Sequence, residues 1–224
     1  MITVSKEDYL KAILEAESEG EAVISATLAS WLRVSKPAVT MALRRLKRDG
    51  LAKVDGDGRV RLTREGRTVA ERLAVRHLLI ERMLTEIFGM AWYRTHDEAE
   101  KLEHAVSADF ESLLAEKLGQ DQPCPHGNFA TGDSPAHKRK RGLRLLAEAD
   151  SGHNYRVVSI YERDAKLGEL LDKHDIKPGS ELYLRERAYD QTLSLDTPAG
   201  PVVLGHPAAE KIWVTPATPP ASNR

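Results

Sequence analysis

His96, Glu100, Glu103 and His104 stand at i, i+4, i+7 and i+8 in the stretch THDEAEKLEHAVS. On a helix of about 3.6 residues per turn those offsets share one stripe, where a core-facing helix would carry Leu or Val. Two imidazoles and two carboxylates in a row are nitrogen and oxygen donors suited to a borderline or hard divalent cation. A second pair, His77 and Glu81, stands at i, i+4 in RHLLIERML. A cation would compensate this clustered negative charge; without one the carboxylates repel each other or take up protons. The competing reading is a solvated helix face with neutral histidines and surface acids.

These donors need helices to hold them, and the chain is long enough to supply several. Its 224 residues can form one large or two small domains, and 41% apolar with 30% charged residues is a globular composition. No apolar run approaches the roughly 20 residues that span a bilayer. The start, MITVSKEDYL, has no apolar segment behind a basic one, as a secretory leader would. The single cysteine cannot form an internal disulfide, so the expected compartment is the cytoplasm. A net charge of −1 conceals an asymmetry: residues 33–72 hold twelve Lys or Arg against five acids, whereas residues 77–121 hold ten acids against four bases. A basic block beside an acidic, histidine-bearing block separates an anion-binding part from a cation-binding part.

In the N-terminal third, DYLKAILEA places Tyr9, Ile13 and Leu14 on one helical face, and ISATLASWL begins a second helix with Ser25 as its expected N-cap. RVSKPAVTMALRRLKRDG reads as a turn and a third helix, capped by Ser35, with Pro37 in the first turn and Gly50 as the stop. LAKVDGDGRVRLT alternates as two strands around a Gly-rich turn. Three helices and a hairpin make a winged helix-turn-helix, whose second motif helix enters the major groove by its N-terminal residues. Ser35, Lys36, Pro37, Ala38 and Thr40 are therefore expected at base edges, Arg44, Arg45 and Arg48 along the backbone, and Arg59 at phosphate or minor groove. A protein-contact role for the same hairpin and ribbon is the alternative. Beyond Thr63 a long helix is expected to end near Gly89, carrying Val69, Leu73, Leu78, Leu79, Met83 and Leu84. Asp97–Leu118 follows as one or two helices with Leu102, Val106, Phe110, Leu113 and Leu114 inward. So much exposed apolar surface suggests a two-fold dimer that reads a palindrome.

The run RHLLIERMLTEIFG…HDEAEKLEHAVS, together with KEDYL, VSKPAVTMALRRLKRDGL and CPHGN in order, resembles the diphtheria toxin repressor and manganese transport regulator family. The resemblance implies a homodimeric repressor that binds palindromic operators when loaded with iron(II) or manganese(II) and silences metal uptake. It implies two sites per subunit: a primary one of Asp8, Glu100, Glu103 and His104, and an ancillary one of His77, Glu81 and His96. The iron-sensing branch has Met and Cys where this chain has Asp8 and Glu100. Oxygen donors suit manganese better than thioether and thiolate do, so Mn2+ is expected over Fe2+. Short manganese regulators carry a Glu where this chain has Lys11, which favours separate ions over a two-metal cluster. CPHG recurs in the family as a loop before a linker, so Cys124 and His126 are expected to be structural. The family's third domain can add ligands from the segment matching YERDAKLGELL. Direct alignment puts Arg163 and Lys166 there, and a one-residue shift would offer Glu162 or Asp164.

Residues 121–142 are rich in Pro, Gly and charge, with Lys138 to Arg141 expected as a solvated basic hinge. YRVVSIYE, SELYLRER, QTLSL, PVVLG and KIWV then read as a small β-barrel, SH3-like by the resemblance. The expected architecture is mainly α with a β part: a winged helix-turn-helix over 1–72, a helical dimerisation and metal-binding domain over 73–122, a linker over 123–144, the SH3-like domain over 145–216, and a disordered tail from 217. No membrane and no small organic substrate are implied. A metal-dependent hydrolase is the alternative from the enzyme class, although no nucleophile or phosphate loop accompanies the donors. A metal-independent winged-helix regulator is the other.

Overall fold

The computed structural model describes residues 4–131 and 133–217. The chain divides into two compact units. The first runs through Ile80 and adds Lys101–Gln120 and Ala130–His137; the second holds Glu81–Glu100, Asp121–Phe129 and everything from Lys138 onward.

In the first unit, α1 (Val4–Ser18), α2 (Ser25–Trp31) and α3 (Lys36–Arg48) are followed by the antiparallel pair β1 (Ala52–Val54) and β2 (Val60–Leu62). The strand register pairs Ala52 with Leu62 and Val54 with Val60 across the Asp55–Gly58 turn. This is the winged helix-turn-helix expected from the sequence. Ser35 caps α3 as anticipated, its Oγ accepting from the Ala38 N–H at 3.3 Å, with Pro37 in the first turn. Ser25 does not cap α2. The cap position falls on Ile24 without a side-chain bond, and Ser25 is already helical. Leu28, Val39, Leu43, Leu46 and Val60 pack with Leu10, Ile13 and Leu14 of α1. α1 buries more than one face: Tyr9, Leu10, Ala12, Ile13, Leu14 and Ala16 all lie in this core, and Lys11 is buried as well.

The helix from Thr63 resolves into α4 (Arg64–Arg82), which continues as a π-helical turn, Met83–Ile87, before Gly89. The acidic stretch forms two helices, α5 (Thr95–Leu102) and α6 (Ala108–Leu118), the second capped by Ser107. Leu114 is buried, but Phe110 and Leu113 are 42% and 60% exposed. Leu73, Leu78, Leu79, Met83 and Leu84 are buried within the chain itself, so the exposed apolar side chains of this region are Ile87 and Phe88 at the end of the π-helical turn and Phe110 and Leu113 on α6.

The expected linker is largely built structure: Cys124, His126 and Lys138 are buried, and α7 (Pro135–Lys140) crosses it. The second unit then forms a six-stranded antiparallel sheet in the order β3-β8-β4-β5-β6-β7. Its strands are β3 (Arg144–Leu145), β4 (His153–Ile160), β5 (Glu181–Arg187), β6 (Leu193–Thr197), β7 (Gly200–Leu204) and β8 (Ile212–Pro216). α8 (Ala165–Lys173) connects β4 to β5, and α9 (His206–Ala209) connects β7 to β8. Its core gathers Trp92, Tyr155, Val157, Ile160, Leu171, Leu184 and Leu195. β8 ends at Pro216, the expected end of the domain; of the expected tail, Ala217 is described, its N–H donating to the Asn154 carbonyl at 2.9 Å, and 218–224 lie outside the described residues.

Candidate metal centres

The first unit places Asp8, Glu103 and His104 together, each with one ligand-type atom within 4.8 Å of the others. Asp8 is half-buried on α1, and Glu103 and His104 follow the last turn of α5. The His104 Nε2 atom lies 2.7 Å from Asp8 Oδ1 and 3.6 Å from Glu103 Oε1. Its Nδ1 lies 3.0 Å from Glu7 Oε2. A histidine held by a carboxylate on one nitrogen and facing two carboxylates with the other is oriented as metal-binding histidines are. Glu7 went unnoticed in the sequence because it lies outside the His/Glu spacing. Burial raises the Asp8 pKa, Glu103 adds to it, and His104 and Lys11 oppose it.

The other oxygen of Glu103 is already engaged. Oε2 lies 2.7 Å from Lys11 Nζ and 2.6 Å from His77 Nδ1, and Lys11 Nζ is 2.8 Å from that same nitrogen. Burial would raise the Glu103 pKa, but His77 and Lys11 outweigh it and hold the carboxyl below its usual range. His77, expected as an ancillary ligand, turns Nδ1 toward Glu103 Oε2 and Lys11 Nζ in this unit, where that nitrogen can donate to the carboxylate or accept from the ammonium but not both. Glu103 is presented with Oε1 toward His104 because Lys11 and His77 hold Oε2. Removing one partner of a buried ion pair strands the other charge. Lys11→Ala is therefore expected to lower stability by about 3 kcal/mol, read by urea denaturation of the metal-free protein.

The second unit holds a different cluster. Glu81, Cys124, His126 and Glu162 each place a ligand-type atom within 4.8 Å of the others. Glu81 lies in the last turn of α4, and Glu162 follows β4. Glu81 Oε1 is 3.4 Å from His126 Nδ1 and 3.7 Å from His96 Nδ1, while His96 Nδ1 is 3.7 Å from Glu162 Oε1. Cys124 Sγ lies 3.8 Å from His126 Nδ1 and 3.7 Å from Glu162 Oε2. The nitrogen–oxygen separations exceed a good hydrogen bond, for which about 3.2 Å is the upper end. All are close to the edges of a coordination shell, about 3.0–3.7 Å for bonds of about 2.0–2.3 Å. A set of two imidazoles, two carboxylates and a thiol, buried except for the half-buried Glu162, therefore fits a divalent transition-metal ion.

Cys124 and His126, expected to be structural, have their side chains within this group of ligand-type atoms. Gly127 explains how. It adopts φ +84°, and a Cβ there would sit 2.0 Å from the Val158 carbonyl oxygen, so only glycine lets the 124–128 loop lie against β4. Glu162 joins the cluster, but Asp164 does not: it caps α8 through the Leu167 N–H and pairs with Lys211 at 2.6 Å. Glu100, expected in the primary group, lies in this unit 3.4 Å from both His96 Nε2 and Arg163 Nη2. Burial opposes charge on His96, yet Glu100, Glu81 and Glu162 together push its pKa up to about 10. Burial, with Glu81 and Glu162 nearby, pushes the Cys124 thiol well above its usual range.

Of the residues expected at DNA, Ser35, Lys36, Pro37, Ala38, Thr40, Arg44, Arg45 and Arg48 are all exposed on α3 or at its cap, and Arg59 is exposed between β1 and β2. Val39, Leu43 and Leu46 take the buried face, so the polar side is left for a partner.

A winged helix-turn-helix joined to clusters of metal-type donors defines a metal-linked DNA-binding regulator. Comparison with known proteins agrees. Residues 1–60 match the family model described as iron dependent repressor, N-terminal DNA binding domain. Residues 63–130 match the iron dependent repressor, metal binding and dimerisation domain, and residues 144–216 match the FeoA domain. The diphtheria toxin repressor of Corynebacterium diphtheriae is 35% identical over 200 residues, spanning 84% of this chain and 87% of that one. The iron-dependent repressor of Mycobacterium tuberculosis is 38% identical over 122 residues, or 54% of this chain and 53% of its own. A solved manganese-dependent transcriptional repressor in complex with manganese superposes with a TM-score of 0.82 at 32% identity, covering 95% of this chain and all of that one. The chain belongs to the iron-dependent repressor family, the family of the diphtheria toxin repressor, whose members are metal-dependent DNA-binding transcriptional repressors and not enzymes. The six-stranded unit is its SH3-like FeoA domain. No described helix is long and apolar enough to cross a membrane.

Proposed function

We propose that this chain is a homodimeric, cytoplasmic repressor of metal-uptake genes that binds palindromic operators when loaded with a divalent ion, with manganese(II) favoured over iron(II). The observation that carries the reading is the pairing of Asp8 with His104 at 2.7 Å. Asp8 belongs to the segment matching the DNA-binding model, and Glu103 and His104 belong to the segment matching the metal-binding and dimerisation model. A divalent ion, when bound, supplies the positive charge that lets Asp8, Glu103 and His104 converge without repulsion. Glu7 and Lys11 hold His104 and Glu103 from behind, so α1 is fixed against the residues that follow α5. Moving a two-state equilibrium from about 1:99 to 99:1 needs about 5.5 kcal/mol of differential affinity.

The donor chemistry supports manganese at this first site, since Asp8 and Glu103 are hard oxygen ligands and His104 adds an imidazole. Glu81, His96, Cys124, His126 and Glu162 would hold a second ion, giving two sites per subunit. Exposed Phe110 and Leu113 on α6 support the homodimer. Two copies of α3 set about one DNA turn apart, roughly 34 Å, would read a palindrome.

The test is fluorescence anisotropy of a labelled palindromic duplex taken from the chain's own upstream region or an uptake operon. Binding that appears only on adding Mn(II) and reverses with chelator is expected; equal binding in excess chelator would sink the reading. Within that assay Arg44→Ala is expected to weaken binding uniformly across sequences and reduce the salt slope by about 1.

A further inference from the structure

Between the second cluster and the β domain runs a short polar chain that the donor set alone does not require. Lys138 is 4% exposed, and its Nζ donates to Asn128 Oδ1 at 2.9 Å and to Ser159 Oγ at 3.0 Å. The same ammonium lies 5.5 Å from the centre of the Trp213 ring. Asn128 Nδ2 donates to Glu162 Oε2 and to the Ile160 carbonyl, both at 3.1 Å. An ammonium can only donate, so the atom it meets on Asn128 must be the oxygen, and the amide nitrogen must then face Glu162. The orientation of Asn128 is thereby fixed by Lys138. With Oε2 taken, Glu162 turns Oε1 toward His96 Nδ1, 3.7 Å away. Ser159 reaches Lys138 from the irregular step in the β4–β8 pairing between Val157 and Ser159, a place where a bulge re-aims side chains.

We propose that Asn128 and Lys138 are positioning residues that aim the Glu162 carboxylate into the second metal cluster and so set its affinity. This rests on the reading of Glu81, His96, Cys124, His126 and Glu162 as a metal site. Lys138 acts through Asn128: it excludes the flipped amide, which would put an oxygen against the carboxylate. Nothing in the spacing of the His/Glu motif announces either residue. Lys138 belongs to a basic run that the sequence assigns to a solvated hinge, and only its burial marks it as different from its neighbours.

Cobalt(II) is the probe. Cys124 is the one cysteine in the chain, so a sulfur-to-cobalt charge-transfer band in the near ultraviolet reports this cluster and not the sulfur-free group at Asp8. The full-length protein is titrated with Co(II), alongside Lys138→Met, which keeps the alkyl packing on Trp213, and Asn128→Asp, which keeps the pair with Lys138 but removes the donor to Glu162. Both variants are expected to need about 10–100-fold more Co(II) to reach half the band intensity, the effect usual for a lost outer-shell partner. Circular dichroism without metal should show that Asn128→Asp still folds, at a lower melting temperature because its new carboxylate faces Glu162 and the Ile160 carbonyl loses its donor. That variant decides the matter if Lys138→Met does not fold. A wild-type band with unchanged midpoints in the variants overturns the positioning role alone. Loss in Asn128→Asp but not in Lys138→Met overturns the part assigned to Lys138. No band in the wild-type protein overturns the metal cluster, and the positioning role with it.

Discussion

Asp8→Ala is expected to abolish Mn(II)-activated operator binding at metal concentrations that saturate the wild type, with a loss of about 100-fold or more. Outer-shell substitutions alone cost about 10–100-fold in metal affinity, and Asp8 is placed to touch the ion directly. Its carboxylate is the one group in the cluster that comes from α1, so its removal leaves Glu103 and His104 in place, still held by Lys11 and Glu7, but takes away the ligand that the DNA-binding segment would give the ion. Asp8 is not part of the apolar core built by Tyr9, Leu10 and Ile13, and the variant should fold. The measurement pairs anisotropy on the labelled duplex with circular dichroism of the same sample. Unaltered Mn(II)-dependent binding by a folded Asp8→Ala protein would remove the basis of the proposed switch. Glu7→Gln should show a weaker version of the same defect, because it only orients His104.

Metal affinity at the second cluster is expected to rise steeply with pH. His96 is pushed up to about 10 and the Cys124 thiol well above its usual range, so both carry a proton near neutrality in the metal-free protein. An ion must displace both, since ligands bind as thiolate and neutral imidazole. Two protons released per ion correspond to a slope near two, or about 100-fold in affinity per pH unit while both groups remain protonated. The linkage to folding has the opposite direction for His96. Its folded pKa is raised, so its stabilising contribution in the metal-free protein is fully present below about 6.5 and is lost as pH rises toward about 10. Co(II) titrations between pH 6.5 and 8, followed through the thiolate band, check the slope. A midpoint independent of pH would show that neither proton is displaced.

The two sites divide along lines of charge as well as ligand type. In the first unit a fixed cation, Lys11, already neutralises part of Glu103, and His77 shares the same oxygen. In the second, the neutralising charge on His96 is a proton, which an entering ion can replace. A tethered ammonium cannot be displaced in that way. The first site should therefore depend on pH far less than the second.

What the sequence by itself determined is local. The winged helix-turn-helix follows from helical periodicity, the Ser35 cap with Pro37, the stop at Gly50 and the Asp55–Gly58 turn, all readable within a few residues. The His/Glu spacing marked the metal-binding helices for the same reason, since i, i+4 and i+7 relations need only one helix to be geometrically defined. Tertiary structure decided which donors lie together. Glu100 and Glu103 are neighbours on the linear motif, yet Glu100 meets His96 and Arg163 while Glu103 meets Lys11 and His77. Cys124 and His126 are far in sequence from Glu81, and only the close seat of Gly127 against β4 draws them to it. The same holds for Lys11 and Lys138, which composition counts as surface charges. Both are buried because packing brings acceptors to them from distant segments, and no periodicity within their own helices encodes that arrival.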